Sequence, residues 1–341
     1  GLASASRCGF FATVKDRVAA GCTPDISEED YHEYSTYFWA AVGGKTRMGE
    51  AIEKPDYDHD GKVSFAEAHA YALLTSPTID ISVKTSDVFL RTYSTLEADG
   101  DESLLTLSTP YESLLEVSDP IEQAVIEGLS SQLGLTASDR AEAARQLAKS
   151  IEGEKKQLEG RKRKLNGELG GIRKHIRDEL RDQWPELENP WHPDVAEFMA
   201  LESAAITNVI ESHSKYSRFV ELRSNIGELE EGSFDLERRW VKCQRLIRTL
   251  ENVILAANLT RVASPEILSR YAQLQAEESA TLHDAPSAKL DDSPRQRRLV
   301  PVSTTVTPAI DNEQSEIDFD TEEQTEPTDE AEEEPTNCRL P

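Results

Sequence analysis

The chain has few aromatic residues, no long hydrophobic run and a shortage of basic residues. Aromatic side chains make up only 6% of its 341 residues. No run of about 18 apolar residues occurs, which excludes a membrane-spanning helix. Lysine and arginine number 37 against 64 aspartate and glutamate, for a formal net charge of −27. Nucleic acid is therefore not expected as a main partner, because binding to phosphates needs clustered basic residues. We expect a cytoplasmic protein.

Cysteine is also scarce. The four cysteines are too few for a disulfide scaffold and form no CxxC pair for zinc: Cys8, Cys22, Cys243 and Cys338. Cys8 and Cys22 could form a disulfide in an oxidising compartment, whereas two reduced thiols are the expectation for a cytosolic protein. The chain starts at Gly1 without the pattern of a signal peptide, so we expect a fragment or a processed start.

Local patterns predict a mixed fold, α+β or mainly α, in four zones. These are an incomplete α/β unit (1–95), an irregular linker (96–118), an antiparallel helical coiled-coil module (119–282) and a disordered acidic tail (283–341). In the last zone, residues 311–341 contain 13 Asp and Glu residues and one arginine, so they hold a net charge of −12. A segment with so few apolar residues cannot bury enough surface to offset the entropy of ordering.

The first zone mixes strand and helix signals. The apolar run Cys8–Val14 predicts a buried strand of a parallel sheet, and the alternating run Ile79–Val83 predicts an edge strand. A capping box at Ser27–Asp30 predicts a helix start. Two helices are then expected: an aromatic one over Tyr31–Val42, closed by Gly43 and Gly44, and one over Phe65–Leu74.

The third zone has apolar residues at helical spacing. Asp119 followed by Pro120 predicts a helix start. A series of apolar residues from Leu147 to Leu180 recurs in steps of 3, 4 or 7, close to a heptad repeat. After the break at Trp184–Pro185, three further helices are predicted: one from Asp194 with a seam reaching Val220, one spanning Leu236–Ile254, and one over Pro265–Leu282.

Short breaks between these long helices favour antiparallel packing. We therefore predict a coiled-coil hairpin within one chain. An intermolecular coiled coil is the alternative. Either form could contact a protein partner.

Residues 56–67 match the twelve-residue EF-hand calcium loop. Gly61, at position 6, permits the left-handed turn that wraps the chain around the ion. Calcium prefers hard oxygen ligands, and the predicted ligands are oxygens of Asp56, Asp58, Asp60, Lys62 (its backbone carbonyl), Ser64 and Glu67. The sequence therefore predicts a Ca²⁺ site. A solvent-exposed, aspartate-rich turn is the alternative.

Two departures from the EF-hand pattern stand out. Pro55 directly precedes the loop, so the entering helix must end early or be irregular. EF-hands usually pair, yet the segments starting at Asp99 and Asp311 lack glycine at position 6. A lone loop could be structural and could hold the helix after Glu67 in place without acting as a sensor.

The first zone also resembles a known family. Its segments follow one another in the order Cys8–Val14, Ala20–Asp25, Tyr34–Ala41, the calcium loop and Ser82–Asp87. In this order they resemble the region downstream of the catalytic cysteine in bacterial caspase-like peptidases of the legumain and caspase clan. The resemblance covers residues 1–90. It implies a strand, a loop beside the substrate pocket and a helix over the sheet, with the helical zone as an appended module.

The resemblance implies no complete active site in this chain. The clan uses a His–Cys dyad, in which the thiolate attacks the substrate carbonyl and the histidine protonates the leaving amine. Both positions would fall before Gly1, and neither Cys8 nor Cys22 matches the position of the nucleophile. No catalytic residue is therefore assigned.

Three hypotheses follow. We expect the calcium-binding C-terminal portion of a bacterial caspase-like protein, inactive by itself, with a coiled-coil interaction module. The second hypothesis is a scaffold that acts through the coiled coil and the acidic tail, with calcium only structural. The third is a peptidase that uses Cys8 or Cys22.

Overall fold

Helices dominate the fold. The computed structural model describes residues 7–20, 33–98, 100–189 and 195–282. Over these ranges the α-helices are α1 Tyr34–Gly43, α2 Phe65–Thr75, α3 Thr85–Tyr93, α4 Tyr111–Val117, α5 Pro120–Leu133, α6 Arg140–Gln183, α7 Val195–Ser212, α8 Tyr216–Val262 and α9 Pro265–Glu278. A 3₁₀ turn, Pro185–Glu188, follows α6. In this part of the chain, none of the helices has the length and apolar content that a membrane crossing requires.

The β-structure is smaller than the sequence predicts. Strand β1 comprises only Phe10–Phe11, and β2 only Val83–Lys84. The two strands pair with each other in antiparallel fashion, with Phe10 opposite Lys84, so the prediction of a parallel sheet is wrong. Phe11 is 52% exposed, because a two-stranded ribbon has no second layer to cover both of its faces.

An aromatic cluster joins α1, α2 and β1. Tyr34 and Phe38 of α1 are buried against the alanine-rich face of α2, and the ring of Phe10 lies 5.3 Å from that of Phe38. Helix α1 ends as predicted, because Gly44 adopts the left-handed conformation at φ 69°. The helix starts at Tyr34, and the predicted capping box before it lies outside the described residues.

The main core lies where α2, α4, α5, α6 and α8 meet. Its fully buried side chains include Leu114 of α4, Ile126 and Leu129 of α5, Ile151 of α6 and Leu250 of α8. Helix α5 begins as predicted, with Asp119 as N-cap and Pro120 at the first helical position. The predicted linker, residues 96–118, consists of turns followed by α4. Residues on both sides of this stretch thus share one core.

Arg245 of α8 anchors α2 to this core. Its guanidinium is 2% exposed and donates hydrogen bonds to the carbonyl oxygens of Leu73, Ser76 and Asp80, each at 2.8 to 2.9 Å. A helix leaves its last carbonyls without partners in the helix, and Arg245 satisfies those of Leu73 and Ser76 at the C-terminal end of α2.

Helices α6 and α8 extend from the core as an antiparallel pair. Their 44 and 47 residues correspond to roughly 65–70 Å at 1.5 Å per residue. Cross-helix ion pairs fix the direction: from the core outward they join Lys155 to Glu237, Lys162 to Glu230 and Glu168 to Arg218. A second apolar cluster lies farther out: Leu169, Ile172, Ile176, Leu222 and Ile226. We call the part of this pair beyond Ile151 and Cys243 the arm.

The predicted helix boundaries along the arm are partly wrong. The seam assigned to one helix from Asp194 to Val220 is interrupted after Ser212, and α8 runs unbroken from Tyr216 to Val262. The interruption is stabilised by His213, whose Nδ1 accepts the backbone N–H of Lys215. Helix α8 continues because the stretch after Val220 contains no proline and pairs with α6 along its length. The predicted acidic tail lies outside the described residues.

Candidate metal centre

Three aspartates of the predicted calcium loop come together. One carboxylate oxygen from each of Asp56, Asp58 and Asp60 lies within 4.8 Å of the other two. Within the described ranges, no other group of three His, Cys, Asp or Glu side chains comes as close. The cluster lies at the surface, in the turn that leads into α2. Hard carboxylate oxygens at this spacing suit a calcium ion.

The backbone of the loop is shaped by its own aspartates. The N–H of Gly61 donates to Asp56 Oδ2 at 3.1 Å, that of Asp60 to Asp58 Oδ1 at 3.0 Å, and that of Lys62 to Asp60 Oδ1 at 2.7 Å. Gly61 has a φ of 87°, a conformation open to glycine. His59 also has a positive φ, 62°, and histidine is one of the side chains that occur there more often. Because each aspartate accepts a loop N–H, the three carboxylates are held on the inside of the turn.

Glu67 lies apart from this cluster. Its side chain is 1% exposed, and its carboxylate accepts hydrogen bonds from backbone N–H groups of the loop. Oε1 accepts the N–H of Tyr57 at 2.7 Å, and Oε2 accepts the N–H of Ser64 at 2.8 Å and its hydroxyl at 3.0 Å. The structure therefore assigns Glu67 to a hydrogen-bonding role. Bidentate binding of an ion would require it to exchange these bonds for the metal.

Ser64 and Lys62 complete the predicted ligand set. Ser64 is the N-cap of α2, and its hydroxyl accepts the N–H of Glu67 at 3.1 Å. With Glu67 at N3 this forms a capping box, which satisfies two free N–H groups at the helix start. Lys62 is exposed and would offer its backbone carbonyl. The capping box that starts α2 therefore places Ser64, and the hydrogen bond to Asp60 places Lys62.

Lys54 is a feature of the site that the sequence analysis missed. Its ammonium lies 3.6 Å from Asp56 Oδ2 and also donates to the carbonyl oxygen of Gly61. A cation of the protein itself thus contacts the loop that is predicted to bind calcium. The sequence signal was a lysine two positions before the first aspartate, which the EF-hand pattern does not constrain.

The approach to the loop departs from a helix–loop–helix arrangement, as Pro55 predicts. Helix α1 ends at Gly43. Between it and Asp56 the chain forms a turn closed by an isolated bridge between Lys45 and Ala51. On the exit side the loop leads straight into α2, whose first N–H, from Phe65, donates to the carbonyl oxygen of Ala280. The loop is therefore anchored through its exit.

The histidines and cysteines have other roles. His59 is exposed, whereas His69 is buried and its Nδ1 lies 2.8 Å from the hydroxyl of Tyr34. Burial, with Lys84 and Arg245 nearby, lowers the pKa of His69 to about 3. Burial raises the pKa of the Cys243 thiol to about 11 and also raises that of Cys8. A thiol with a raised pKa is a weak nucleophile. Cys22 and His32 lie outside the described residues.

A small cavity whose lining contains several ionisable groups, which the sequence did not suggest, lies behind α2. Its volume is about 60 Å³, and its lining includes His69, Lys84, Asp87 and Glu122. Burial, together with the Asp119 carboxylate, raises the pKa of Glu122 to about 7. These ionisable groups come from α2, β2, α3 and α5, so only the tertiary fold brings them together.

The residues of the loop fit a calcium ion in donor chemistry. Three carboxylates already face one another, and a fourth lies at the base of the loop with its hydrogen bonds made to loop backbone. Comparison with known proteins adds no family to this picture: no family model, no curated protein and no solved structure matches the chain.

Proposed function

We propose that this chain is a calcium-binding protein whose loop 56–67 holds one Ca²⁺ ion. The observation that carries the proposal is the convergence of Asp56, Asp58 and Asp60, with their oxygens within 4.8 Å of one another, in a turn made possible by Gly61. Three carboxylates held together by backbone N–H groups create a strong local negative charge. A divalent cation relieves their mutual repulsion.

Each residue contributes through its position in the turn. The aspartates supply carboxylate oxygens, Lys62 its carbonyl and Ser64 its hydroxyl, directly or through water. Glu67 supplies a further carboxylate after releasing the amides of Tyr57 and Ser64. The bound ion would tie the extended segment before the loop to the start of α2.

The family resemblance gives this proposal a wider setting. We propose that the chain is the C-terminal portion of a bacterial caspase-like protein, with calcium stabilising the segment that covers residues 1–90. Catalysis by this chain itself is not proposed. Cys8 and Cys243 have raised thiol pKa values, and no hydrogen bond joins either of them to a histidine in the described part of the chain.

A second candidate function is that of an interaction protein in which calcium is only structural. The observation that favours it is the arm, where α6 and α8 reach beyond the main core with an apolar cluster of their own. A long helical pair of this kind presents a large surface to a partner. The two candidates differ in whether calcium changes binding or only stability.

Isothermal titration calorimetry tests the calcium site. We expect wild-type protein to bind one Ca²⁺, and Asp58→Asn and Glu67→Gln to weaken the affinity on the order of tenfold or more, because each removes a charged ligand. Glu53→Gln is the matched control, since Glu53 is exposed and lies just outside the loop. If neither loop variant differs from wild type, the site is not at residues 56–67.

Urea unfolding with and without calcium separates the two candidates. Calcium that binds only the folded state raises the free energy of unfolding by RT ln(1 + [Ca²⁺]/Kd). A purely structural ion would raise stability and leave partner binding by the arm unchanged. A regulatory ion would change both.

A further inference from the structure

A groove opens halfway along the arm. It lies between α6 and α8, has a volume of about 500 Å³, and is lined by Arg161, Lys164, Leu165, Asn225, Glu228 and Leu229. Leu165 and Leu229 are half-buried and form an apolar floor. Leu165 also packs against the outer apolar cluster, so the groove lies at the edge of that cluster, where the two helices do not fill the space between them.

The charged residues at the rims of the groove are unpaired, unlike their neighbours. Next to the groove, Lys162 pairs with Glu230 at 3.1 Å across the two helices. In the described part of the chain, by contrast, neither Arg161 nor Lys164 on the α6 rim has a carboxylate within 4.0 Å. Glu228 on the α8 rim likewise has no cation within that distance. The α6 rim is therefore left positive and the α8 rim negative.

The same opposition of charge extends along both helices. Residues 155–177 of α6 contain nine Lys and Arg residues and two glutamates, a net charge of 9 − 2 = +7. Residues 216–237 of α8 contain two arginines and six Asp and Glu residues, a net charge of 2 − 6 = −4. This positive segment stands out in a chain whose total is −27. The arm thus places a positively charged segment of α6 beside a negatively charged segment of α8.

We propose that this groove is the centre of a symmetric dimer, and that its occupant is the arm of a second copy of the chain. In a two-fold interface the same surface meets itself, so every contact off the axis occurs twice and residues at the axis meet their own copies. A two-fold axis that runs parallel to the arm, in front of the groove, brings the positive α6 rim of one copy against the negative α8 rim of the other. Arg161 and Lys164 then meet Glu228 of the second copy, and the reciprocal contact forms as well.

The groove suits a second copy better than a nucleic acid. A phosphate backbone would meet Glu228 at the mouth and be repelled, whereas a copy of the arm presents both signs in the matching order. Helix α6 contains no Phe, Tyr or Trp, the side chains on which exposed bases stack. Leu165 and Leu229 from both copies would gather around the axis, which adds apolar burial to the charge contacts.

Sedimentation equilibrium of the full chain tests the proposal. We expect wild-type protein to dimerise, and both Glu228→Lys and the double variant Arg161→Glu/Lys164→Glu to weaken dimerisation on the order of tenfold or more, because like charges would then face each other across the axis. Glu211→Lys is the matched control for Glu228→Lys, with the same charge change at an exposed site on α7. It should dimerise as wild type does.

Mixing the two groove variants gives the sharpest result. A copy with Glu228→Lys and a copy with Arg161→Glu/Lys164→Glu present opposite charges at both contacts, so the mixture should form a heterodimer although neither variant dimerises alone. Circular dichroism of each variant checks that its helices are retained. A wild-type monomer at all concentrations, a dimer that survives Glu228→Lys, or a mixture that stays monomeric overturns the proposal. These outcomes are independent of calcium binding.

Discussion

The backbone N–H of Phe65 donates to the carbonyl oxygen of Ala280 at 3.0 Å. Phe65 is the first residue of α2, immediately after the N-cap Ser64, and Ala280 lies two residues beyond the end of α9. The first N–H groups of a helix have no partner within it. Here Ala280 supplies one, so the exit of the candidate calcium loop is bonded directly to the segment that follows the last described helix.

Glu278 strengthens the same junction. Its carboxylate is 1% exposed and accepts hydrogen bonds from the backbone and hydroxyl of Ser86, and from the ammonium of Lys84 at 3.0 Å. We predict that Glu278→Gln lowers the free energy of unfolding by about 2–4 kcal/mol, because it removes one of the two carboxylates, with Asp87, that stabilise the buried Lys84 charge. Urea unfolding measures the change. Glu266→Gln, at an exposed position of the same helix, should alter stability little.

Replacing Arg245 should also lower the stability of the protein. Replacing it with methionine removes the donors to the carbonyls of Leu73, Ser76 and Asp80, and leaves those buried oxygens unpaired. We expect a loss of about 3 kcal/mol or more. Arg248→Met is the control, since Arg248 is one turn along α8 and only half-buried. Equal losses in the two variants, measured by urea unfolding, would show that the carbonyl contacts of Arg245 are unimportant.

The lowered pKa of His69 should make the stability of the protein depend on pH. Its pKa in the folded protein is about 3, against a usual value of about 6.5. Between these values the unfolded chain binds a proton that the folded protein does not, so acid lowers the free energy of unfolding by up to about 1.4 kcal/mol per pH unit. Below about pH 6.5, His69→Asn should therefore lose less stability than wild type.

The comparison needs a control for other titrating groups. His59→Asn serves, because His59 is exposed and asparagine tolerates its positive φ. Urea unfolding at several pH values should show that this variant follows wild type. A His69→Asn curve parallel to that of wild type would contradict the assignment.

Much of the helical architecture could be predicted from the sequence, because it depends on local signals. Asp119 and Pro120 start α5, Gly44 ends α1, and Trp184 ends α6, where each was expected. The break at His213–Lys215 could not be predicted, since it depends on a single histidine bonding to nearby backbone. The parallel sheet was wrong because an apolar run such as Cys8–Val14 does not specify the direction of its partner.

Some features of the candidate site could likewise be predicted from the sequence, and others could not. Asp56, Asp58 and Asp60 were predicted to converge, since two-residue spacing around a glycine turn is a local property, and they do so. The hydrogen bonds of Glu67 to Tyr57 and Ser64 were not predicted, because a ligand pattern does not show which donors compete for a carboxylate. That calcium binds here stays a prediction.

Lys54 should oppose calcium binding. Its ammonium contacts Asp56 and the Gly61 carbonyl, and an incoming Ca²⁺ would have to displace or tolerate this charge. We predict that Lys54→Gln tightens calcium binding by about two- to five-fold, the effect expected of an exposed ion pair. Calorimetry measures it, with Lys45→Gln, outside the loop, as the control. The gain should shrink at high salt, because salt screens exposed charges.

Replacing glycine with alanine should change stability in opposite directions at two positions. Gly160 is exposed, and a methyl group added at its Cα would meet no atom within 4 Å. Gly160→Ala should therefore raise the free energy of unfolding by about 0.5–1 kcal/mol, the difference in helix propensity. Gly134→Ala should lower it, because Gly134 ends α5 at a φ of 68°. Thermal unfolding of both variants checks the opposite signs.

The hydrogen bonds of Glu67 have a consequence for the choice between ions. Magnesium keeps several of its waters and needs only one or two carboxylates, so Asp56, Asp58 and Asp60 could hold it while Glu67 goes on capping α2. Calcium takes six to eight oxygens and would recruit Glu67 away from Tyr57 and Ser64. The same carboxylate would therefore report which ion is bound, and only calcium would change the start of the helix.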